Sequence, residues 1–176
     1  MRLFIAVNFS VETCVRLIRL QDALRAVATR GRFTTPENLH LTLVFLGSCT
    51  PAQTLAAQAV MDAVAFSPFP IAIDRLGRFL REGGDIWWAG VQSPEPLMFL
   101  QRDLADRLRI AGFQLEDRPF HPHITLGRDI IAPMPTKTVS PFGETVCNIS
   151  LMESSYTAGK LIYTPIYSVL SNTPEA

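Results

Sequence analysis

Lysine is almost missing from this chain: fourteen of its sixteen basic residues are Arg and two are Lys. Net charge is missing as well, since sixteen acidic residues balance the basic ones, so no strong positive field exists to draw in a long polyanion. What basic charge there is takes the guanidinium form, whose planar fork matches phosphate oxygens, although an Arg-rich codon usage gives the same composition. Cysteine is scarce. Cys14, Cys49 and Cys147 are widely separated and odd in number, which excludes a disulfide framework and a paired zinc site and predicts buried free thiols. Long apolar runs are absent too. Leu3 to Val7 is too short for a signal-peptide core and far too short to span a bilayer, so the expected location is the cytoplasm, with no membrane partner.

What is present is enough apolar material for a core. The 176 residues, 48% of them hydrophobic, suit one globular domain over 1–176 built as two small lobes sharing a core, expected as a monomer. Arg2 to Val7 reads as an opening strand, and Ser10 as the N-cap of a helix to about Thr29 with an apolar stripe of Cys14, Leu17, Ile18, Leu24, Val27 and Ala28. Gly31 suits a left-handed position just beyond it. Thr50-Pro51-Ala-Gln53 predicts a capped second helix to about Ala65. A hairpin follows, from Ile71 to Phe79 and Ile86 to Val91, turning at Glu82-Gly-Gly-Asp85. Ser93-Pro94 opens a third helix striped by Leu97, Leu100, Leu104 and Leu108 and ended by Gly112. Pro133-Met-Pro reads as loop, Val146 to Met152 and Leu161 to Leu170 as strands joined around Ala158-Gly159, and Ser171 to Ala176 as a loose tail. Three helices against about seven strands, several joined as hairpins, predict an α+β fold of mainly antiparallel sheet.

Two stretches are near copies of each other: Pro36-Glu-Asn-Leu-His40-Leu-Thr42-Leu43 and Pro119-Phe-His-Pro-His123-Ile-Thr125-Leu126. Five of the eight positions agree in kind. In the first, Leu39, Leu41, Leu43 and Phe45 alternate with His40, Thr42 and Val44, the period of a half-buried strand. His40 and Thr42 therefore share one face, as do His123 and Thr125. The duplication predicts two pseudo-symmetric lobes with helices outside and a cleft between. The same count gives Phe45 inward parity, a core residue rather than a stacking platform. Trp87 and Trp88 have opposite parities, so one is packed and the other is available to stack on a base.

Two His-x-Thr strands roughly eighty residues apart resemble the 2H phosphoesterase superfamily, and most closely the RNA 2',3'-cyclic phosphodiesterases, also called 2'-5' RNA ligases. The likeness extends to Arg2-Leu-Phe-Ile-Ala-Val, Ile86-Trp-Trp-Ala-Gly-Val and Ser150-Leu-Met-Glu-Ser-Ser, and so covers nearly the whole chain. It implies hydrolysis of RNA 2',3'-cyclic phosphate ends to 2'-phosphomonoesters, with His40 as acid and His123 as base, no cofactor and no metal. It also implies the reverse reaction, joining a 2',3'-cyclic phosphate to a 5'-hydroxyl.

The residue types suit that chemistry. A base must deprotonate the attacking water while an acid protonates the leaving alkoxide across phosphorus, and two imidazoles can do both near neutrality. Thr42 and Thr125, two residues along each strand and so roughly 7 Å away at ~3.3 Å per residue, can hold phosphate oxygens. Arg128, where the family commonly has an Arg, can reach the same phosphate once Gly127 has freed the backbone from alternation, or can pair with Asp129 instead. Two other readings stay open. The chain could hold a nucleotide without turnover, or His40, His121 and His123 could form a metal site for a metal-dependent phosphohydrolase. The resemblance selects His123 over His121, which then becomes a rim residue.

Overall fold

The computed structural model describes residues 1–173. In chain order the elements are β1 (Arg2–Asn8), α1 (Val11–Val27), β2 (Arg30–Phe33), a single 3-10 turn (Pro36–Asn38), β3 (His40–Ser48), α2 (Pro51–Ala63), β4 (Phe69–Phe79), β5 (Asp85–Val91), α3 (Glu95–Ile110), β6 (His123–Ile131), β7 (Lys137–Val146), β8 (Asn148–Thr157) and β9 (Lys160–Leu170). The strands form two sheets, ordered β3-β1-β8-β9 and β2-β6-β5-β4-β7, and every pairing is antiparallel. This is the expected α+β class. One motif strand lies in each sheet, and β3 touches β6 where the sheets meet.

Local chemistry fixes the helix starts. Ser10 accepts the Thr13 amide at 3.3 Å, and Thr50 and Gln53 exchange both bonds of a capping box at 2.9 and 3.2 Å, each such cap contributing about 1 kcal/mol. Leu97, Leu100, Leu104 and Leu108 are buried as a stripe on α3, and Gly112 beyond it takes φ +93°. The helices pack over the sheets, α1 on β6 and β7, α3 on β3 and β4, and α2 against α3 and β9. One continuous core runs beneath them, from Leu3, Ile5 and Leu41 of the first sheet to Ile73, Trp87 and Ile124 of the second.

Several expectations are corrected. Among the described residues there are nine strands rather than about seven, and both additions, β2 and β7, are edges of the five-stranded sheet. β2 is short and charged, and β7 carries Pro141 and Gly143, features tolerated at an edge because half of the backbone donors there face away from the ladder. Gly31 is a strand residue rather than a helix terminator; a Cβ there would meet the Ile130 side chain at 2.6 Å. Of the thiols only Cys49 is buried, Cys14 being half-buried and Cys147 exposed at the turn between β7 and β8. At the start of the tail, Ser171 and Asn172 donate to Cys147 O and Phe66 O, while its last three residues lie outside those described. Among the described residues no helix is long and apolar enough to cross a membrane.

The stripe on α1 differs from the expected one in a way that matters for the second motif. Its buried residues are Thr13, Leu17, Gln21 and Leu24, whereas Val27 is exposed. Gln21 is 1% exposed and its Nε2 donates to Thr34 O at 2.7 Å and Leu126 O at 2.8 Å. One side chain thus ties α1 to the loop before β3 and to the backbone of β6. Gln21→Leu would leave Thr34 O unpaired and Leu126 O with the Thr34 amide alone, and is expected to lower unfolding stability by about 1–3 kcal/mol in urea titrations. An unchanged midpoint would contradict that role.

Candidate active site

His40 opens β3 directly after the 3-10 turn, and its Nδ1 lies 2.7 Å from Asn38 O. A carbonyl only accepts, so Nδ1 carries the proton and Nε2 presents its lone pair to the Thr42 hydroxyl, 2.8 Å away. His123 opens β6 in the same manner, with Nδ1 donating to His121 O at 2.6 Å. In both copies the ring is tethered to the carbonyl two residues upstream. Thr42 and Thr125 are half-buried on the same face as their histidines, as the alternation requires.

The tether of His40 is itself anchored. Asn38 is 7% exposed; its Nδ2 donates to Leu161 O at 2.8 Å and its Oδ1 accepts the Tyr163 amide at 3.1 Å, fixing the turn to β9. That bond brings Tyr163 edge-on to His40, ring centroids 5.1 Å apart at 90°, with Phe4 at 4.9 Å on another side. Phe79 stands edge-on to His123 at 5.2 Å and 87°, and Trp88 lies 6.3 Å away. Asn38, Tyr163, Phe4 and Phe79 escaped the sequence reading. No local pattern in the sequence marked them as neighbours of the histidines.

Arg128 reaches the site through a bulge. β6 has one extra residue against β2, where Arg32 pairs with Arg128 but Arg30 with Ile131, and two against β5, where Trp88 pairs with Thr125, Trp87 with Gly127 and Asp85 with Ile130. Asp129 takes the left-handed conformation, φ +54°, which Asp tolerates better than most residues. The alternation first breaks between Thr125 and Gly127, as expected, where three residues of β6 face Trp88 and Trp87, and it breaks again at Asp129. Gly127 has ordinary strand geometry, and is required because a Cβ would sit 2.8 Å from Arg32 O. Asp129 pairs with Arg32, Nε to Oδ2 at 2.8 Å, and among the described residues Arg128 has no carboxylate partner.

Electrostatics shows the convergence of the two strands. Burial pushes the His40 pKa below the ordinary histidine value; the bond to Asn38 O opposes it, and the charges of His123 and Arg128 lower it further. His123 is lowered as well, by burial first, against the opposing bond to His121 O, and then by the charges of Arg128 and His121. Tyr163 is raised by burial and pulled back by Arg128. Arg128 thus acts on all three rings, and two titratable imidazoles from different sheets repel each other's charge.

The remaining candidates separate cleanly. His121 is exposed and contributes its carbonyl, and among the described residues no three His, Cys, Asp or Glu side chains gather as a metal site. Trp87 is wholly buried, while Trp88 packs against Phe79 at 5.4 Å and against Gly77, where a Cβ would meet its ring at 2.3 Å. Phe45 is not a core residue. It is 53% exposed and lies on the face of His40 beside Phe4, ring centroids 5.6 Å apart.

Comparison with known proteins identifies the family and the fold. The RNA 2',3'-cyclic phosphodiesterase of Escherichia coli (strain K12) is 32% identical over 170 residues, covering 94% of this chain and 93% of that protein. The crystal structure of E. coli LigT in apo form aligns over 98% of both chains with a TM-score of 0.85 at 28% identity, and that of LigT complexed with 3'-AMP over 98% of both with 0.83 at 27%. Residues 20–142, a span that begins inside α1, takes in both His-x-Thr strands and ends in β7, match the family described as the 2'-5' RNA ligase superfamily, to which this chain belongs.

Proposed function

We propose that this protein is an RNA 2',3'-cyclic phosphodiesterase that opens the ring to a 2'-phosphomonoester by two-histidine acid–base catalysis. The observation that carries this reading is the repeated tether: each imidazole donates from Nδ1 to a carbonyl, leaving both Nε2 atoms for chemistry at one shared site. The RNA 2',3'-cyclic phosphodiesterase of E. coli and the LigT complex with 3'-AMP support the substrate class.

The cyclic phosphate binds between the strands, its non-bridging oxygens held by the Thr42 and Thr125 hydroxyls and the uncommitted Arg128 guanidinium. Among the described residues the Nε2 of His123 has no hydrogen-bond partner, so its lone pair is open to a water, which it deprotonates as that water attacks phosphorus. The P–O3' bond breaks on the opposite side, and protonated His40 gives its Nε2 proton to the departing O3'. His123 ends protonated and His40 neutral, and exchange with solvent restores the starting pair. With a 5'-hydroxyl in place of water as the nucleophile, the same forward steps open the ring and form a 2'-5' phosphodiester bond.

A module that only holds a nucleotide would lose nothing chemical with either imidazole. His40→Ala and His123→Ala should each lower turnover of a 2',3'-cyclic nucleotide by ~10²- to 10⁴-fold, the usual contribution of a positioned acid or base. Full activity in either folded variant would exclude the mechanism. His121→Ala keeps the carbonyl that tethers His123, and should be mild by comparison.

The pH profile follows from the direction of the two shifts. Turnover needs one imidazole neutral and the other protonated, a state most populated between the two apparent pKa values of the pair. Both are lowered from the ordinary ~6.5, so kcat/KM, which reports the free enzyme, should be bell-shaped with its maximum below about pH 6.5. The kcat profile should lie at higher pH, because the bound phosphate favours imidazolium. A flat kcat/KM profile, or a maximum well above neutrality, would contradict this.

A further inference from the structure

β3 and β9 are the opposite edges of the four-stranded sheet, with β1 and β8 between them, yet both deliver a side chain to the same place. The link is Asn38, which holds the His40 ring through its carbonyl and the backbone of β9 through its side chain, at Leu161 O and the Tyr163 amide. Tyr163 is thereby set edge-on against His40, and Phe4 fixes its ring on a second side, at 77° with centroids 4.9 Å apart. With Phe4, Ala6 and Met152 it makes a small apolar cluster separate from the main core.

Packing alone asks for a flat ring at this position, which Phe would supply, so the hydroxyl needs another reason. Of the chain's three tyrosines, Tyr156 is exposed and Tyr167 donates to Asp62 at 2.6 Å, whereas the hydroxyl of half-buried Tyr163 bonds to no group among the described residues. Neither is it one of the buried polar atoms without a partner, which are the indole nitrogens of Trp87 and Trp88, so it is open to solvent. The largest charge acting on it is that of Arg128, which comes from β6 in the other sheet, so the phenol faces the cleft. Burial raises its pKa above the ordinary tyrosine value, so it keeps its proton and meets an anion as a donor. On the same side of the cleft the Thr42 hydroxyl is already engaged, donating to His40 Nε2 at 2.8 Å. The uncommitted donor beside His40 is Tyr163.

We propose that the Tyr163 hydroxyl donates to a non-bridging oxygen of the cyclic phosphate, a third hydroxyl in the phosphate site beside those of Thr42 and Thr125. This rests on the phosphodiesterase reading above. The bond strengthens as negative charge builds on the phosphoryl oxygens in the transition state. Tyr163→Phe keeps the ring and its packing on Phe4 and His40 and removes only the donor. Its kcat/KM for adenosine 2',3'-cyclic phosphate should fall roughly 10- to 150-fold, the range for a hydrogen bond to a charged group, with the pH maximum unmoved. The Rp and Sp isomers of adenosine 2',3'-cyclic phosphorothioate locate the bond. Sulfur is a poor hydrogen-bond acceptor, so the loss caused by Tyr163→Phe should largely vanish for the isomer whose sulfur replaces the contacted oxygen and persist for the other. A role confined to walling His40 would leave Tyr163→Phe fully active and move the pH maximum in Tyr163→Leu. That result, or an equal loss on both isomers, overturns the inference alone. Failure of the unaltered protein to open any of the three esters overturns the phosphodiesterase reading, and the inference with it.

Discussion

A hydrogen bond from the Nδ1 of an imidazole to the carbonyl two residues upstream is the constraint on which this site depends. It settles the tautomer, it sets the ring's orientation relative to its strand, and it leaves Nε2 as the nitrogen not bound to the backbone. Most of the surrounding structure maintains those two bonds. Asn38 clamps the first carbonyl to β9, and Gln21 holds β6 through Leu126 O, the residue directly after the second motif's His-x-Thr. Duplicated tethers in two sheets that share one core give a pair of bases at one place, which neither strand could supply alone.

Charge at this place is arranged for an anion. Burial and the neighbouring Arg128 disfavour protonation of both histidines in the free protein. The bulges of β6 on both sides of Arg128 take it out of strand register, while Arg32 occupies the adjacent carboxylate. A cation left without a partner beside two rings that resist protonation is a site awaiting negative charge. With the chain's charge balanced overall, the attraction is local.

The parts legible in the sequence were those written in short-range pattern. The duplicated motif placed His40, Thr42, His123 and Thr125 on strand faces, and capping residues marked the helices within a turn or two. Edge strands were missed because β2 and β7 bury too little to show alternation. Phe45 was misread because counting by twos assumes an unbroken strand, and a bulge inverts every parity beyond it. Tyr163 and Asn38 were invisible for another reason: they meet across 125 residues of chain, and nothing local to either announces the other. Gln21 did carry a signal, a polar residue at a buried helical position, which asks for a buried partner.

The most direct examination of the site is 15N NMR of the histidine rings, with and without a nucleoside 2'-monophosphate. Both His40 and His123 are expected to hold the neutral-state proton on Nδ1, to titrate below the ordinary histidine value, and to shift together when the ligand binds. A neutral ring protonated at Nε2, or a ligand that moves one ring and leaves the other unchanged, would contradict a shared two-histidine site.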